Sequence, residues 1–159
     1  LTLILILFSP NPILPNENCP FCDPKILHLQ AFYEDDLVFA LCTYRPIFPG
    51  HCLVIPKRHV ERFENLSDAE ATQICQTLKK VHAAATKAFS ASSYLLLQKN
   101  GWESGQSVPH VHFHYIPRQA GDGSSLKFFL HMIWANLGKP IPIEETQKTV
   151  AKMREAMEE

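Results

Sequence analysis

Apolar residues recur along the chain in two rhythms, and the points where one gives way to the other mark out the elements. Residues 37–43 and 52–55 are short apolar runs separated by Arg45-Pro46-Ile47-Phe48-Pro49-Gly50, whose prolines and glycine force a turn or loop. The pattern predicts two strands of one sheet. Ser67-Asp68-Ala69-Glu70 has the spacing of a capping box, and Ile74, Leu78, Val81, Ala85 and Phe89 follow at helical intervals. An amphipathic helix is therefore predicted over 67–90. Residues 94–98 form another apolar strand candidate, residues 99–109 a polar loop, and residues 110–116 alternate sharply enough to be the next strand. A loop too short for a helical crossover makes those two strands antiparallel neighbours. Near the end, Glu144 and Glu145 open a helix that places Val150, Met153 and Met157 on one face. This order of elements predicts an α+β domain, an antiparallel sheet with flanking helices.

The N-terminal stretch breaks both rhythms. Residues 9–24 are crowded with prolines and read as an irregular arm. Residues 1–8 are apolar without a basic flank and too short to span a bilayer, so an edge strand is expected there rather than a leader or an anchor. Residues 1–16 are accordingly assigned to the arm. Residues 17–159 are assigned to one domain ending in the C-terminal helix.

Composition narrows the chemistry. The 159 residues, 46% of them hydrophobic, suffice for one domain with a core. Lysine plus arginine total 15 against 16 acids, a formal charge of -1, so no global field exists to hold nucleic acid and any phosphate chemistry must be local. The five cysteines make a poor disulfide framework, which suits a reducing, cytoplasmic setting. No membrane partner is expected.

Three of the eight histidines fall within His110-Val111-His112-Phe113-His114. On a strand these imidazoles share one face, with Val111, Phe113 and Tyr115 on the other. Neutral imidazoles so spaced can grip a metal, and that use competes with nucleophilic chemistry. The preceding loop, Asn100-Gly101-Trp102-Glu103-Ser104-Gly105-Gln106-Ser107-Val108-Pro109, offers amide and hydroxyl donors that suit phosphate oxygens, with glycines that let backbone approach a ligand. A neutral imidazole attacking phosphorus needs such donors beside it. Glu103 reads as an exposed loop charge.

Cys19-Pro20-Phe21-Cys22 supplies either a redox dithiol or half of a zinc site. Pro24 argues against the helix that a redox motif needs, so zinc is the preferred reading, with histidines completing the tetrahedron. His82 and His131 are read as packing histidines. Cys42, Cys52 and Cys75 are read as small buried hydrophobes, and the apolar cluster at 128–134 as core by default, with covering a substrate or forming a subunit interface as the alternatives.

Residues 105–116, Gly-Gln-Ser-Val-Pro-His-Val-His-Phe-His-Tyr-Ile, resemble the signature of the histidine-triad superfamily, and Pro49-Gly50-His51-Cys52-Leu53-Val54-Ile55-Pro56-Lys57-Arg58-His59-Val60 resembles its upstream segment. The similarity covers roughly residues 17 to 120. It implies a HIT-like fold, a nucleotide substrate and a homodimer. It implies that His112 is the nucleophile, that His114 and His51 orient the site and bind phosphate, and that Gln106, Ser107 and Asn100 contact the ligand. Thr43 falls where relatives present Asp or Asn to the ribose, and as a threonine it offers one hydrogen bond in place of a bidentate grip. A subset of the superfamily carries structural zinc, and by similarity the ligands are Cys19, Cys22, His59 and His110, with His28 or His51 as substitutes in the fourth place. Such a closed site leaves no open position for substrate.

Arg58-His59-Val60-Glu61-Arg62-Phe63 and residues 116–122 lean toward the fragile-histidine-triad branch, the dinucleoside polyphosphate hydrolases, whereas the cysteine pair resembles zinc-bearing relatives. The activity implied is hydrolysis of a dinucleoside polyphosphate or nucleoside phosphoramidate at the α-phosphate through a nucleotidyl-histidine. The competing readings are a zinc-stabilised nucleotide-binding protein with weak catalysis, and a nucleotidyltransferase. Retention of His114 favours hydrolase over transferase.

Overall fold

The computed structural model of the chain describes residues 18–158. The expected edge strand at residues 1–8, with most of the arm, lies outside them. The elements run α1 (Pro24–Gln30), β1 (Ala31–Glu34), β2 (Val38–Cys42), β3 (Cys52–Pro56), α2 (Asp68–Phe89), β4 (Ser93–Gln98), β5 (Phe113–Arg118), α3 (Ser125–Leu137) and α4 (Ile143–Glu158). The strands form one sheet in the order β1-β2-β3-β5-β4, and every neighbouring pair is antiparallel. The α+β architecture read from the sequence is the one observed.

Strand alternation gives the sheet two covered faces. Ala40, Cys42, Cys52, Val54 and Tyr115 point toward α2 and α4 and join Ile74, Leu78, Val81, Val150 and Met153 in the main core. Leu41, Leu53 and Ile55 point the other way, where Cys19, Phe21 and Leu27 pack over them. With both faces covered, all of β3 is buried. His114 lies opposite Leu53 and Leu97 in the ladder, so it belongs to this second face, across the sheet from the large helices.

The capping box at Ser67 is present in full: the Ser67 hydroxyl accepts from the Glu70 amide, and the Glu70 carboxylate accepts from the Ser67 amide. Glu70 also accepts two hydrogen bonds from Arg58, at 2.9 and 2.7 Å. The segment after β3 is thereby pinned to the start of α2.

Four expectations are corrected. Pro24 does not break a helix but opens one: it occupies the first turn of α1, where its missing N–H costs nothing, and Asp23 caps that helix by accepting from the Lys25 amide at 2.8 Å. Strand β5 begins at Phe113, not at 110, because Val54 to Phe113 is the last ladder pair with β3 and the Val111 amide turns instead to the Val60 carbonyl at 2.6 Å. The apolar cluster at 128–134 is not core. No residue of α3 is buried, and Phe129, Leu130, Ile133 and Trp134 are exposed. Cys75 is exposed as well, on the solvent side of α2, whereas Cys42 and Cys52 are buried. Among the described residues no helix is long and apolar enough to cross a membrane.

Candidate functional site

Two clusters meet at the N-terminal end of β5. In the first, the cysteine pair of the arm lies against histidines from two other segments. Cys19 Sγ is 3.4 Å from His110 Nδ1, and Cys22 Sγ is 3.5 Å from His59 Nδ1 and 3.7 Å from His110 Nδ1. All four ligand atoms lie within 4.8 Å of one another. A tetrahedral zinc ion would separate sulfur and nitrogen ligands by about 3.6 Å, so the donor set fits in both chemistry and spacing. His110 donates from Nε2 to the Pro56 carbonyl at 2.9 Å, which leaves Nδ1 with its lone pair facing the sulfurs. Burial pushes the Cys19 thiol up to about 11 and His110 down to about 4. Burial disfavours both the Cys19 thiolate and the charged His110 ring; a bound cation would stabilise the thiolate and needs the ring neutral, as burial leaves it. His51 and His28 are not in this group, which is the only such metal-ligand set among the described residues.

The second cluster is a hydrogen-bonded relay of imidazoles. The Ile47 amide donates to His51 Nδ1 at 3.1 Å, so neutral His51 carries its proton on Nε2 and donates it to His114 Nδ1 at 3.0 Å. His114 is left with a proton on Nε2. Burial lowers His51 to about 3; burial and the neighbouring His51 and His112 lower His114 to about 2, so both rings are neutral. His112 Nδ1 donates to the His110 carbonyl at 2.7 Å, which places the lone pair on Nε2. Burial lowers the pKa of His112, the bond to the carbonyl opposes that, and the charge of Lys99 adds to the lowering. The three histidines of the run therefore split: His110 faces the cysteines, while His112 and His114 face a cavity. A metal site made by the run itself is not what the geometry presents, since each Nδ1 has a different partner.

That cavity, of about 160 Å³, has His51, His112, His114, Thr43 and Ser107 in its lining. Gly50 supports it from behind. Its φ of +85° turns the chain toward β3 just ahead of His51, and a Cβ there would meet the Phe89 ring at 2.9 Å. Asn100 and Gln106 do not line the cavity. The Asn100 amide group accepts from the Phe63 amide and donates to Glu64. Buried Gln106 accepts from the Gly101 amide at 2.6 Å and donates to the Glu61 carbonyl at 2.8 Å, so both ends of its side chain shape the loop. Glu103 is exposed, as expected. His82 is a packing histidine bonded to the Tyr115 hydroxyl at 2.8 Å. His131 stacks on Phe48.

Other walls of the cavity went unread in the sequence. Phe21, Ile26 and Gln30 close it from the arm and α1, Lys99 and Leu97 from β4 and its exit, and Met132, Ala135 and Asn136 from α3. A signal for the first group existed: Asp23-Pro24 is a cap followed by a favoured first helical residue. For α3 only the alternative that the cluster at 128–134 covers a substrate pointed this way, and Met132 does line the cavity.

Comparison with known proteins agrees with this geometry. Bis(5'-nucleosyl)-tetraphosphatase [asymmetrical] of Schizosaccharomyces pombe is 43% identical over 95 residues, covering 60% of this chain and 52% of that protein. The chain thus spans about half the length of that relative. An uncharacterised HIT-like protein of Methanocaldococcus jannaschii is 40% identical over 114 residues, covering 69% of this chain and 86% of that one. Among solved structures, a hypothetical histidine triad nucleotide-binding protein of Sulfolobus tokodaii superimposes with a TM-score of 0.70 at 28% identity, covering 88% of this chain and 92% of that one. The family model for the HIT domain matches residues 27–121, more than half of the chain. Fold, triad and sequence kinship converge, and the chain belongs to the HIT domain family.

Proposed function

We propose that the protein is a nucleotide hydrolase that cleaves dinucleoside polyphosphates or nucleoside phosphoramidates at the α-phosphate through a nucleotidyl-histidine. The observation that carries this reading is the His112 ring: neutral, held by its Nδ1–H on the His110 carbonyl, and presenting the Nε2 lone pair from a side chain that lines the cavity. In the first step Nε2 bonds to the α-phosphorus as the bond to the leaving phosphate or amine breaks. In the second, water takes the place of Nε2 on phosphorus, the nucleoside monophosphate departs and the imidazole returns neutral. His114 Nε2–H, fixed by the relay from Ile47 through His51, supports the charge on a nonbridging or leaving oxygen. The Ser107 hydroxyl is a second donor, and Thr43 is the polar group available to a ribose. The names borne by relatives, among them the tetraphosphatase of fission yeast, support a phosphoanhydride substrate.

The cysteine cluster is proposed to hold a structural zinc ion on Cys19, Cys22, His59 and His110. With four protein ligands it would offer no open position, and its effect would be to fix His110, whose carbonyl in turn sets the tautomer of His112. The test of function is chemical. After incubation with diadenosine tetraphosphate and a quench in base, a nucleotidyl adduct should be found on His112 by mass spectrometry. Full turnover by His112→Ala would sink the proposal.

A further inference from the structure

Among the described residues the Lys99 ammonium has no partner, although it borders the cavity. The side chain is half-buried and lines the cavity with His112, His114 and Ser107. Its ammonium crosses the loop at Gly105, where an added Cβ would lie 3.8 Å from Nζ. Three other lysines are paired, Lys57 with Glu34 at 2.6 Å, Lys148 with Glu145 at 2.6 Å, and Lys80 with the Tyr33 hydroxyl at 3.0 Å; what sets Lys99 apart is its place in the cavity wall. Among the described residues the Lys99 ammonium makes no ion pair or hydrogen bond.

Nothing in the cavity balances it. No carboxylate lines the walls, and the imidazoles beside it are neutral. The other cation of the lining, Arg45, directs Nη1 to the carbonyls of Ala135, Asn136 and Gly138 at the end of α3. Lys99 is thus the free positive charge of a cavity otherwise made of neutral donors and apolar groups. An unpaired cation set among hydrogen-bond donors, without an acid, is complementary to a multiply charged oxyanion.

Resting on the nucleotide reading above, we propose that Lys99 is a substrate-binding residue that holds the phosphate chain in the cavity and biases the site toward nucleotides with more anionic phosphate chains. It does what the loop amides cannot, because Asn100 and Gln106 are committed to Phe63, Glu64, Gly101 and Glu61. A compact ammonium on a flexible stem can follow phosphate oxygens whose positions change along the reaction, as a rigid donor cannot.

The test is calorimetric titration of wild type, Lys99→Gln and Lys99→Arg with adenosine, AMP and ADP, alongside thermal unfolding to show that each variant is folded. Wild type should favour ADP over AMP and AMP over adenosine. Lys99→Gln should bind AMP roughly tenfold more weakly, the loss of one charge-assisted contact, and ADP more weakly still, with adenosine affinity unchanged. Lys99→Arg should restore most of the loss, and added salt should weaken AMP binding more in wild type than in Lys99→Gln. Equal AMP affinity in wild type and Lys99→Gln would overturn the Lys99 assignment alone. A wild type that binds AMP no better than adenosine would overturn the reading of the cavity as a phosphate site and the Lys99 assignment with it.

Discussion

His51 Nε2 and His114 Nδ1 face each other at 3.0 Å, two neutral imidazoles in series, with the first oriented by the Ile47 amide. Burial lowers His51 to about 3, and burial together with the neighbouring imidazoles lowers His114 to about 2, each from an ordinary 6.5. Between those values the unfolded chain binds protons that the folded chain refuses. The sign follows: stability is fully present above pH 6.5 and is lost progressively as pH falls toward about 3. The melting temperature should therefore drop between pH of about 6.5 and about 5, above the range where carboxylates titrate. His51→Gln, which removes one of these groups, should make that slope shallower. A melting temperature independent of pH over this window would contradict the neutral pair.

The cysteine cluster makes a second prediction. Purified protein should contain about one zinc per chain, and a strong chelator should remove it with a fall in melting temperature of roughly ten degrees or more. Cys19→Ser and Cys22→Ser should each reproduce most of that fall. Because Cys19 and Phe21 pack over Leu41, Leu53 and Ile55, metal loss should also loosen the arm and expose that face. Atomic absorption and calorimetry on the same preparations check both statements. Metal-free protein with unchanged stability in the double Cys→Ser variant would exclude the site.

The sheet and its long helix were legible because each is dictated locally. The short apolar runs at 37–43 and 52–55, parted by a proline- and glycine-bearing turn, and the Ser67 to Glu70 spacing before a helical apolar stripe, admit few other outcomes. The expected division of labour within the histidine run came only from resemblance; in the structure His110 Nδ1 faces the sulfurs while its carbonyl orients His112. Asn100 does not line the cavity: a side-chain amide in a loop looks the same in sequence whether it serves a ligand or braces a turn, and here it bonds Phe63 and Glu64. Lys99, next to it, went unnoticed since one lysine in a polar loop carries no signal until its neighbours are known. Pro24 was a true signal read with the wrong sign, its meaning set by the capping Asp23 before it.

Glu70 serves two structures at once and is buried at 5% exposure. Its carboxylate closes the capping box on the Ser67 amide and takes both hydrogen bonds from Arg58, whose guanidinium is the first cause of its lowered pKa. Glu70→Ala should cost about 1–3 kcal/mol, from a lost cap and an arginine left without its acid. Arg58→Met should cost less, since that guanidinium is partly exposed and the capping box survives it. Because Arg58 precedes His59, both variants should also bind zinc more weakly, readable as faster release to a chelator. Equal stability of Glu70→Ala and wild type in urea would show that the shared carboxylate carries no weight.

Arg45 ties the exposed helix α3 to the loop after β2, and both border the cavity. The guanidinium donates to Gly138 at 2.9 Å and Asn136 at 3.1 Å, satisfying carbonyls that the last turn leaves open. Phe48 adds stacked contacts with Phe128 and His131, at 6.2 and 4.8 Å between ring centres. No residue of α3 is buried, so these few contacts decide whether the helix stays in place. Arg45→Met should accelerate amide exchange across residues 125–137 by roughly tenfold, the equivalent of about 1–2 kcal/mol, while leaving α2 and the sheet unchanged. Since Met132, Ala135 and Asn136 line the cavity, the same variant should raise KM for the nucleotide substrate with little change in kcat. The opposite split, a fall in kcat at constant KM, would place the effect of Arg45 on the reacting phosphorus and not on the wall. Exchange rates for α3 that match wild type would show that Phe48, Arg118 over the Phe128 ring and the other remaining contacts hold the helix without Arg45.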